Sequence, residues 1–370
     1  ENNVPGYMSP YGATGEDMGL PLDQKTVADY LKELGYRTAL FGKWHQGDAD
    51  RYHPAKRGFD EFYGFRGGAR SFYPYPDLEK EYRGNWLERG FGNYEEHEGY
   101  LTDVLADETC RFMERNKASP FFAFVSFNAV HAPMEADPED AAEFPKLEGK
   151  RRTLAQMTLS MDRAIGRIVK KVEDLGLSDS TLIIYTNDNG GPTDHTSASN
   201  WPLSGCKATH LEGGIRVPAI AVWPGKLKAG AVYEKPLITL DLLPTFVEVG
   251  GGDSASLEGL DGVNMMPYLT GADKARPHPT LCWKKENRGA IRDGDWKLLR
   301  FPDRPAELYN IEKDPSEKNN LAAKHPEKVK ALYKKLFTWE CGLARPMFML
   351  RRLYEEKAAE RFDACREQYP

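Results

Sequence analysis

The sequence has no CxxC pair and only five cysteines, at positions 110, 206, 282, 341 and 365. That argues against a thiolate metal site, and the count is too low for a disulfide scaffold. Being odd, it leaves at least one thiol free in a monomer, and the cysteines read as mostly packing residues. No apolar run approaches the length of a membrane span. No basic stripe stands out either: 50 Lys and Arg are mixed evenly with 56 Asp and Glu for a net charge of −6, which argues against a nucleic-acid partner. Glu1 to Gly6 lack the basic and apolar regions of a signal peptide, although a processed chain would also lack them. There is no internal repeat and no low-complexity tract.

What is present is ordinary globular material. The 370 residues, 40% hydrophobic and 29% charged, suffice for one large core and a smaller appended domain. Asp23 is placed to cap a helix over 23–35, with Val27, Tyr30, Leu31 and Leu34 on one stripe and Gly35 as its stop. A strand over Tyr36–Phe41 then runs into Gly42-Lys43-Trp44-His45-Gln46-Gly47. The same grammar returns twice. A helix marked by Leu101, Val104, Leu105 and Phe112 precedes an apolar strand, 121–127, that empties into Asn128-Ala129-Val130-His131-Ala132-Pro133. A long helix from Leu154 to Val172, closed by Gly176, precedes a strand over 181–186 that empties into Asn187-Asp188-Asn189-Gly190-Gly191.

Three successive helix–strand units with continuously apolar strands predict an α/β fold, its mostly parallel sheet sandwiched by helices. In such sheets ligands bind beyond the carboxyl ends of the strands, where the polar clusters fall. A further strand at 217–223 and a helix near 240–249 follow. Gly-rich and Pro-containing stretches then set a boundary near 265, giving a main α/β domain over 1–265 and a smaller C-terminal subdomain over 266–370. The latter is expected to hold short antiparallel strands at 280–284, 289–292 and 296–301, with a turn at Asp293-Gly294, and a helix carrying Val329, Leu332, Tyr333 and Leu336 on one face.

Four groups carry candidate chemistry. Asp188 and Asn189 offer a carboxylate and an amide oxygen, the ligands a hard cation such as Ca²⁺ or Mg²⁺ takes, and they are equally the residues of a plain turn. Lys43 with His45 supplies a point cation and a proton-capable ring, against the alternative of a solvated Lys and a packed His. His131 precedes Ala132-Pro133, whose proline restricts the turn. Lys207, ahead of Glu212-Gly213-Gly214-Ile215-Arg216, is a second anion contact, whereas Glu212 and Arg216 read as a structural ion pair. Two lysines, two imidazoles and a hard metal at one sheet edge suit a tetrahedral anionic ester.

These stretches, together with Thr26–Gly47, Ile183–Gly191, Asn200–Gly225 and Trp296–Leu321, resemble the sulfatase family, arylsulfatase type, of the alkaline-phosphatase superfamily. The pairing of GKWH-x-G with K-x₄-EGGIRVP makes the resemblance specific, and it covers nearly the whole chain. It implies sulfuric ester hydrolysis, with Asp188 and Asn189 as two of four metal ligands, Ca²⁺ being the usual ion and Mg²⁺ the alternative. It implies Lys43 and Lys207 as sulfate contacts, His45 as the residue that helps handle the nucleophile, and His131 as a sulfate contact that protonates the leaving oxygen. It also implies an extracytoplasmic location in periplasm, secretion or lysosome.

The departure from the family pattern is equally specific. Sulfatases carry an Asp-Asp pair after the first strand and a Cys/Ser-x-Pro-x-Arg motif whose first residue becomes formylglycine, the hydrate of which attacks sulfur. No Asp-Asp pair occurs in these residues, and Ser9-Pro10-Tyr11 has neither the spacing nor the Arg. An N-terminal strand–helix unit is therefore expected to be missing by truncation, with little or no turnover and weakened metal affinity in this chain. Two other readings stay open: a phosphomonoester or phosphodiester hydrolase of the same superfamily, and a non-catalytic protein that holds sulfated glycans. The aromatic stretch 57–77, with Arg66 and Arg70, is either a sugar subsite or a packed loop. The 7 Trp and 18 Tyr suit a carbohydrate or an aromatic substrate alike, and a sulfated carbohydrate is expected over a small aryl sulfate. The oligomeric state is not readable.

Overall fold

The computed structural model describes residues 7–8, 18–285, 287–344, 349–350 and 352–367, so Ser9-Pro10-Tyr11 lie outside it. Two compact units emerge. Unit one joins residues 18–183 to Val222–Ala275; unit two joins Ile184–Ala221 to the described residues from Arg276 onward, with 7–8.

Unit one begins with helix α1 (Val27–Glu33). Thr26 caps it, its hydroxyl accepting from the Asp29 N–H while the Asp29 carboxylate accepts from the Thr26 N–H. Asp23, the expected cap, stands too far ahead of Val27 to reach the first-turn amides. Strand β2 (Arg37–Lys43) runs parallel to β3 (Glu61–Phe65) on one side and to β5 (Phe121–Ser126) on the other. The two-residue strand β4 (Glu88–Arg89) adds antiparallel to β3, giving the order β4-β3-β2-β5.

Alternate residues of β2 and β3 face opposite layers. Ala39, Phe41, Tyr63 and Phe65 pack with Leu101, Leu105 and Phe112 of α2 (Leu101–Asn116) and Val172 of α3 (Gly149–Asp174). Leu40 and Phe62 pack instead with Ala28, Trp44 and Phe59. Phe122 meets Phe246 of α6 (Leu242–Val249), ring centroids 5.6 Å apart, and a single turn, α7 (Met266–Leu269), follows. Part of the stretch expected as a loop, Glu61–Phe65, is thus a buried core strand.

Unit two carries a two-stranded sheet of β6 (Ile183–Thr186) and β7 (Ala219–Val222), and the single helical turns α4 (Thr193–Thr196) and α5 (Glu212–Ile215). Its larger sheet is an antiparallel meander of β8 (Thr280–Lys285), β9 (Arg288–Asp293), β10 (Trp296–Arg300) and β11 (Glu307–Asn310). Gly294 turns between β9 and β10 as Asp293-Gly294 predicts, and β11 is an additional strand. Leu332 and Leu336 of α8 (Pro326–Cys341) cover Ile291 and Leu298 on one face. On the other, Phe362 of α9 (Arg352–Glu367) packs at 5.0 Å on Phe301. A short antiparallel ladder joins β1 (Tyr7–Met8) to β12 (Met349–Leu350).

The α/β class with a mostly parallel sheet and a smaller antiparallel subdomain is therefore the observed one. One expectation is refined and one changes. Cys206 and Cys365 form a disulfide that the sequence alone does not assign, while Cys110, Cys282 and Cys341 are free. The apolar strands are not uniformly covered: Phe124 of β5 is 45% exposed and Ile220 of β7 is 57% exposed.

Candidate active site

In unit one, Lys43 is the last residue of β2, paired in register with Phe65 of β3. Trp44 turns into the core and its N–H donates to the Phe65 carbonyl at 2.9 Å. His45 N–H donates to Arg66 O at 2.9 Å, and the residue adopts the left-handed region, φ +53°. Its ring lies against Gly68, where a β-carbon would come within 2.8 Å of Nε2, so only glycine leaves the imidazole its place. Gly42 of β2 pairs with Ser126 of the neighbouring β5, and the chain beyond Ser126 leads to His131. Lys43, His45 and His131 thus follow the carboxyl ends of adjacent parallel strands.

The His131 turn is tightly specified. His131 N–H donates to Asn128 O at 2.8 Å, and the peptides Ala129-Val130 and Ala132-Pro133 are cis. Nδ1 of His131 lies 2.8 Å from Ala132 O, which is the distance for Nδ1–H donation and leaves Nε2 as the outward nitrogen of the ring. Asn128 was not singled out from the sequence; it is buried, and neither atom of its side-chain amide has a hydrogen-bond partner.

The arginines of the 57–77 stretch are held internally. Arg66 donates to both carboxylate oxygens of Glu88 at 2.8 and 2.9 Å, and to Asp50 at 2.7 Å. Burial pushes the Glu88 carboxyl up, but His53 and Arg66 outweigh it and hold it at about 2. Arg70 donates to Glu96 at 3.0 Å and stacks over Tyr75. These guanidinium groups brace the loop beside His45; Arg66 is a structural cation, not a sugar contact.

In unit two, Asp188 and Asn189 follow β6. Asn189 Nδ2 donates to Gly190 O at 2.9 Å, which leaves its amide oxygen for another role, and Asp188 is exposed. The Lys207 N–H donates to Gly191 O at 3.3 Å, joining the two candidate loops directly. Asn200 reinforces the join: its side chain accepts from Gly191 N–H and donates to the Gly191 and Gly205 carbonyls, each at 2.9 Å. Gly190 and Gly213 pass so closely that a β-carbon on Gly190 would lie 1.7 Å from Gly213 O. The glycines of NDNGG and EGG are therefore matched to one another.

Glu212 is structural, as expected, but its principal partner is Lys297 of β10, at 2.8 Å, rather than Arg216. Lys297 also lies 3.0 Å from Glu317. Burial raises the Glu212 carboxyl, yet Lys297 and Arg292 outweigh it and hold the group below its usual range. Burial, with the Glu212 charge beside it, pushes Glu317 up despite Lys297. The oxygen donors of Asp188 and Asn189 suit a hard cation, but two residues supply only part of a Ca²⁺ shell. Among the described residues, the group of His, Cys, Asp or Glu close enough to share an ion is Asp194, Cys206 and Cys365, and its sulfurs are already bonded to each other. A charged groove between α2 and α3, lined by Asp103, Arg163, Arg167 and Lys171, contains none of the candidate residues.

The sequence profile described as "Sulfatase" matches residues 3–252, more than half of the chain. The chain belongs to the sulfatase family. A second profile, "N-sulphoglucosamine sulphohydrolase, C-terminal", matches residues 207–340. The chain is similar to N-acetylgalactosamine-6-sulfatase of Canis lupus familiaris, 30% identical over 293 residues, covering 75% of this chain and 55% of the relative. The Homo sapiens N-acetylgalactosamine-6-sulfatase is 31% identical over 264 residues, covering 68% and 49%. This sulfatase chain thus spans about half the length of the curated relatives it matches. Among solved structures it is similar to Ps i-CgsB in complex with k-i-k-neocarrahexaose, with a TM-score of 0.84 and 32% identity over 95% of this chain and 83% of that one.

Proposed function

We propose that the chain belongs to a sulfuric ester hydrolase for a sulfated carbohydrate. The observation that carries the reading is the placement of cations and imidazoles within each unit. Lys43, His45 and His131 follow adjacent parallel strands in one; Lys207 is hydrogen-bonded to the loop of Asp188 and Asn189 in the other.

In this reading Lys43 and Lys207 neutralise the sulfate oxygens as charge grows in the transition state. His131 contacts sulfate and delivers a proton from Nε2 to the leaving alkoxide, its Nδ1–H bond to Ala132 O fixing the ring. His45, wedged against Gly68, handles the proton of the nucleophile. Asp188 and Asn189 hold a divalent cation, Ca²⁺ by preference, as part of its oxygen shell; when bound, that ion polarises sulfate oxygen. The nucleophile, a formylglycine in this family, has no counterpart in these 370 residues. These residues are therefore proposed to bind sulfate but not, by themselves, to turn over. A carbohydrate substrate is supported by the neocarrahexaose held by Ps i-CgsB, and an oxidising, extracytoplasmic location by the Cys206–Cys365 disulfide. Among the described residues no helix is long and apolar enough to cross a membrane.

Calorimetric titration of the chain with inorganic sulfate tests the binding half of the proposal. Lys43→Ala and Lys207→Ala are each expected to weaken binding by tenfold or more, about 1.4 kcal/mol. Equal affinity in both variants would overturn the assignment. Robust hydrolysis of an aryl sulfate by the unaltered chain would overturn the proposed inactivity.

A further inference from the structure

Cys206 and Cys365 are joined across 159 residues, with Cα atoms 5.8 Å apart, and both are fully buried. Cys206 immediately precedes Lys207, while Cys365 stands in the last turn of α9. On either side of Cys206 the backbone is tied to the Gly191 loop, Lys207 N–H donating to Gly191 O and Asn200 bridging the Gly191 and Gly205 carbonyls, whereas the bonds of Cys206 itself are local. Its N–H donates to Thr209 Oγ1 at 3.2 Å, and that hydroxyl donates back to Cys206 O at 2.7 Å. Such bonds set the shape of the turn without fixing it to α9. Apart from the disulfide, α9 is held to this unit by Phe362, which packs in a buried cluster with Phe301, Tyr309 and Leu211, and by ion pairs at partly exposed positions: Arg361 with Asp194 at 2.7 and 2.9 Å, Arg304 with Asp363, and Arg366 with Glu307. Pairs of that kind contribute little. A covalent link across a long loop constrains much more.

We propose that the Cys206–Cys365 disulfide is a positioning clamp for Lys207: closed, it holds the lysine where it meets sulfate, and opened by a dithiol reductant it releases it. This rests on the reading of Lys207 as a sulfate contact. In the opening step one thiolate of the reductant attacks a cysteine sulfur and forms a mixed disulfide. Its second thiolate then displaces the protein sulfur. The products are two protein thiols and the oxidised, cyclic reductant, with two electrons and two protons transferred.

Linkage makes the clamp measurable. If the closed form binds sulfate more tightly, sulfate must favour the closed form by the same factor. The full chain is titrated with inorganic sulfate, oxidised and after reduction. The midpoint of the Cys206–Cys365 couple is read by alkylation and mass spectrometry in redox buffers with and without saturating sulfate. Expected are at least tenfold weaker binding after reduction and, for that tenfold, a midpoint about 30 mV more negative in sulfate. Reoxidation restores the affinity, which separates release of the loop from unfolding, and the Cys206→Ser/Cys365→Ser double variant binds like the reduced chain with or without reductant.

If Lys207→Ala loses sulfate but reduction changes neither affinity nor midpoint, the clamp is overturned while the sulfate contact stands. If Lys207→Ala binds as the unaltered chain does, or neither binds, the Lys207 assignment fails instead. Amide hydrogen exchange over 207–211 then decides the clamp alone: tenfold faster exchange on reduction supports it, and unchanged exchange removes it.

Discussion

Lys297 donates to Glu212 at 2.8 Å across 85 positions of sequence, with both side chains closed off from water. The pair joins the EGGI turn, which packs directly on the Asp188 loop, to the antiparallel sheet of the same unit. Because Glu317 shares the same ammonium group, one cation serves two buried carboxylates, and that explains why one is held low and the other high.

Lys297→Met should therefore be severe. Breaking a buried pair from one side costs about 3–5 kcal/mol, since the remaining carboxylates have no solvent and only Arg292, 3.9 Å from Glu212, as a cation nearby. Urea unfolding of the variant beside the unaltered chain measures the loss. A difference below about 1 kcal/mol would mean that the carboxylates find water or take up protons without strain.

Gly68→Ala places a methyl group 2.8 Å from His45 Nε2. Overpacking of this kind costs about 1–3 kcal/mol, and the movable neighbour is the ring rather than the backbone. The imidazole resonances of His45 in a ¹⁵N spectrum should shift, with the rest of the spectrum largely retained. Unmoved resonances would show that the loop, not the ring, gives way.

Phe124 is exposed in the middle of β5, a strand whose ladder partner among the described residues is β2. An apolar edge without lysine, proline or bulge is a template for pairing with other chains. Phe124→Lys should lower self-association in sedimentation velocity while changing the unfolding free energy by less than about 1 kcal/mol. Identical sedimentation of the two proteins would mean that this edge is not adhesive.

His97 is buried beside Arg70, and burial together with that guanidinium lowers its pKa to about 4 from an ordinary 6.5. The folded chain keeps the ring neutral where the unfolded chain protonates it. Stability from this group is complete above pH 6.5 and falls as the pH drops toward 4, at up to about 1.4 kcal/mol per pH unit. His97→Gln should flatten the thermal midpoint between pH 6.5 and 4 relative to the unaltered chain. An unchanged slope would assign the acid sensitivity to other groups.

Much of this molecule is written in local pattern. Val27, Leu31, Leu101, Leu105, Phe112 and Val172 mark their helices because a helix repeats its buried face every three to four residues, and that periodicity survives in one dimension. The polar clusters after β2, β5 and β6 were legible because each of these strands is an unbroken apolar run with an abrupt end. Lys43, His45, His131, Asp188 and Asn189 stand out in the sequence for that reason, and Lys207 through the EGGIRVP stretch that follows it. What tertiary structure alone decided are the non-local pairings. Glu61–Phe65 is short, with a Glu and a Gly, and becomes a core strand only because β2 lies beside it. Glu212 pairs with Lys297 rather than the nearby Arg216 because the fold lays β10 against the EGGI turn. Cys206 found Cys365, and Gly68 came to lie against the His45 ring, because contacts between residues far apart in sequence depend on how close the folded chain brings them, and no local spacing encodes that distance.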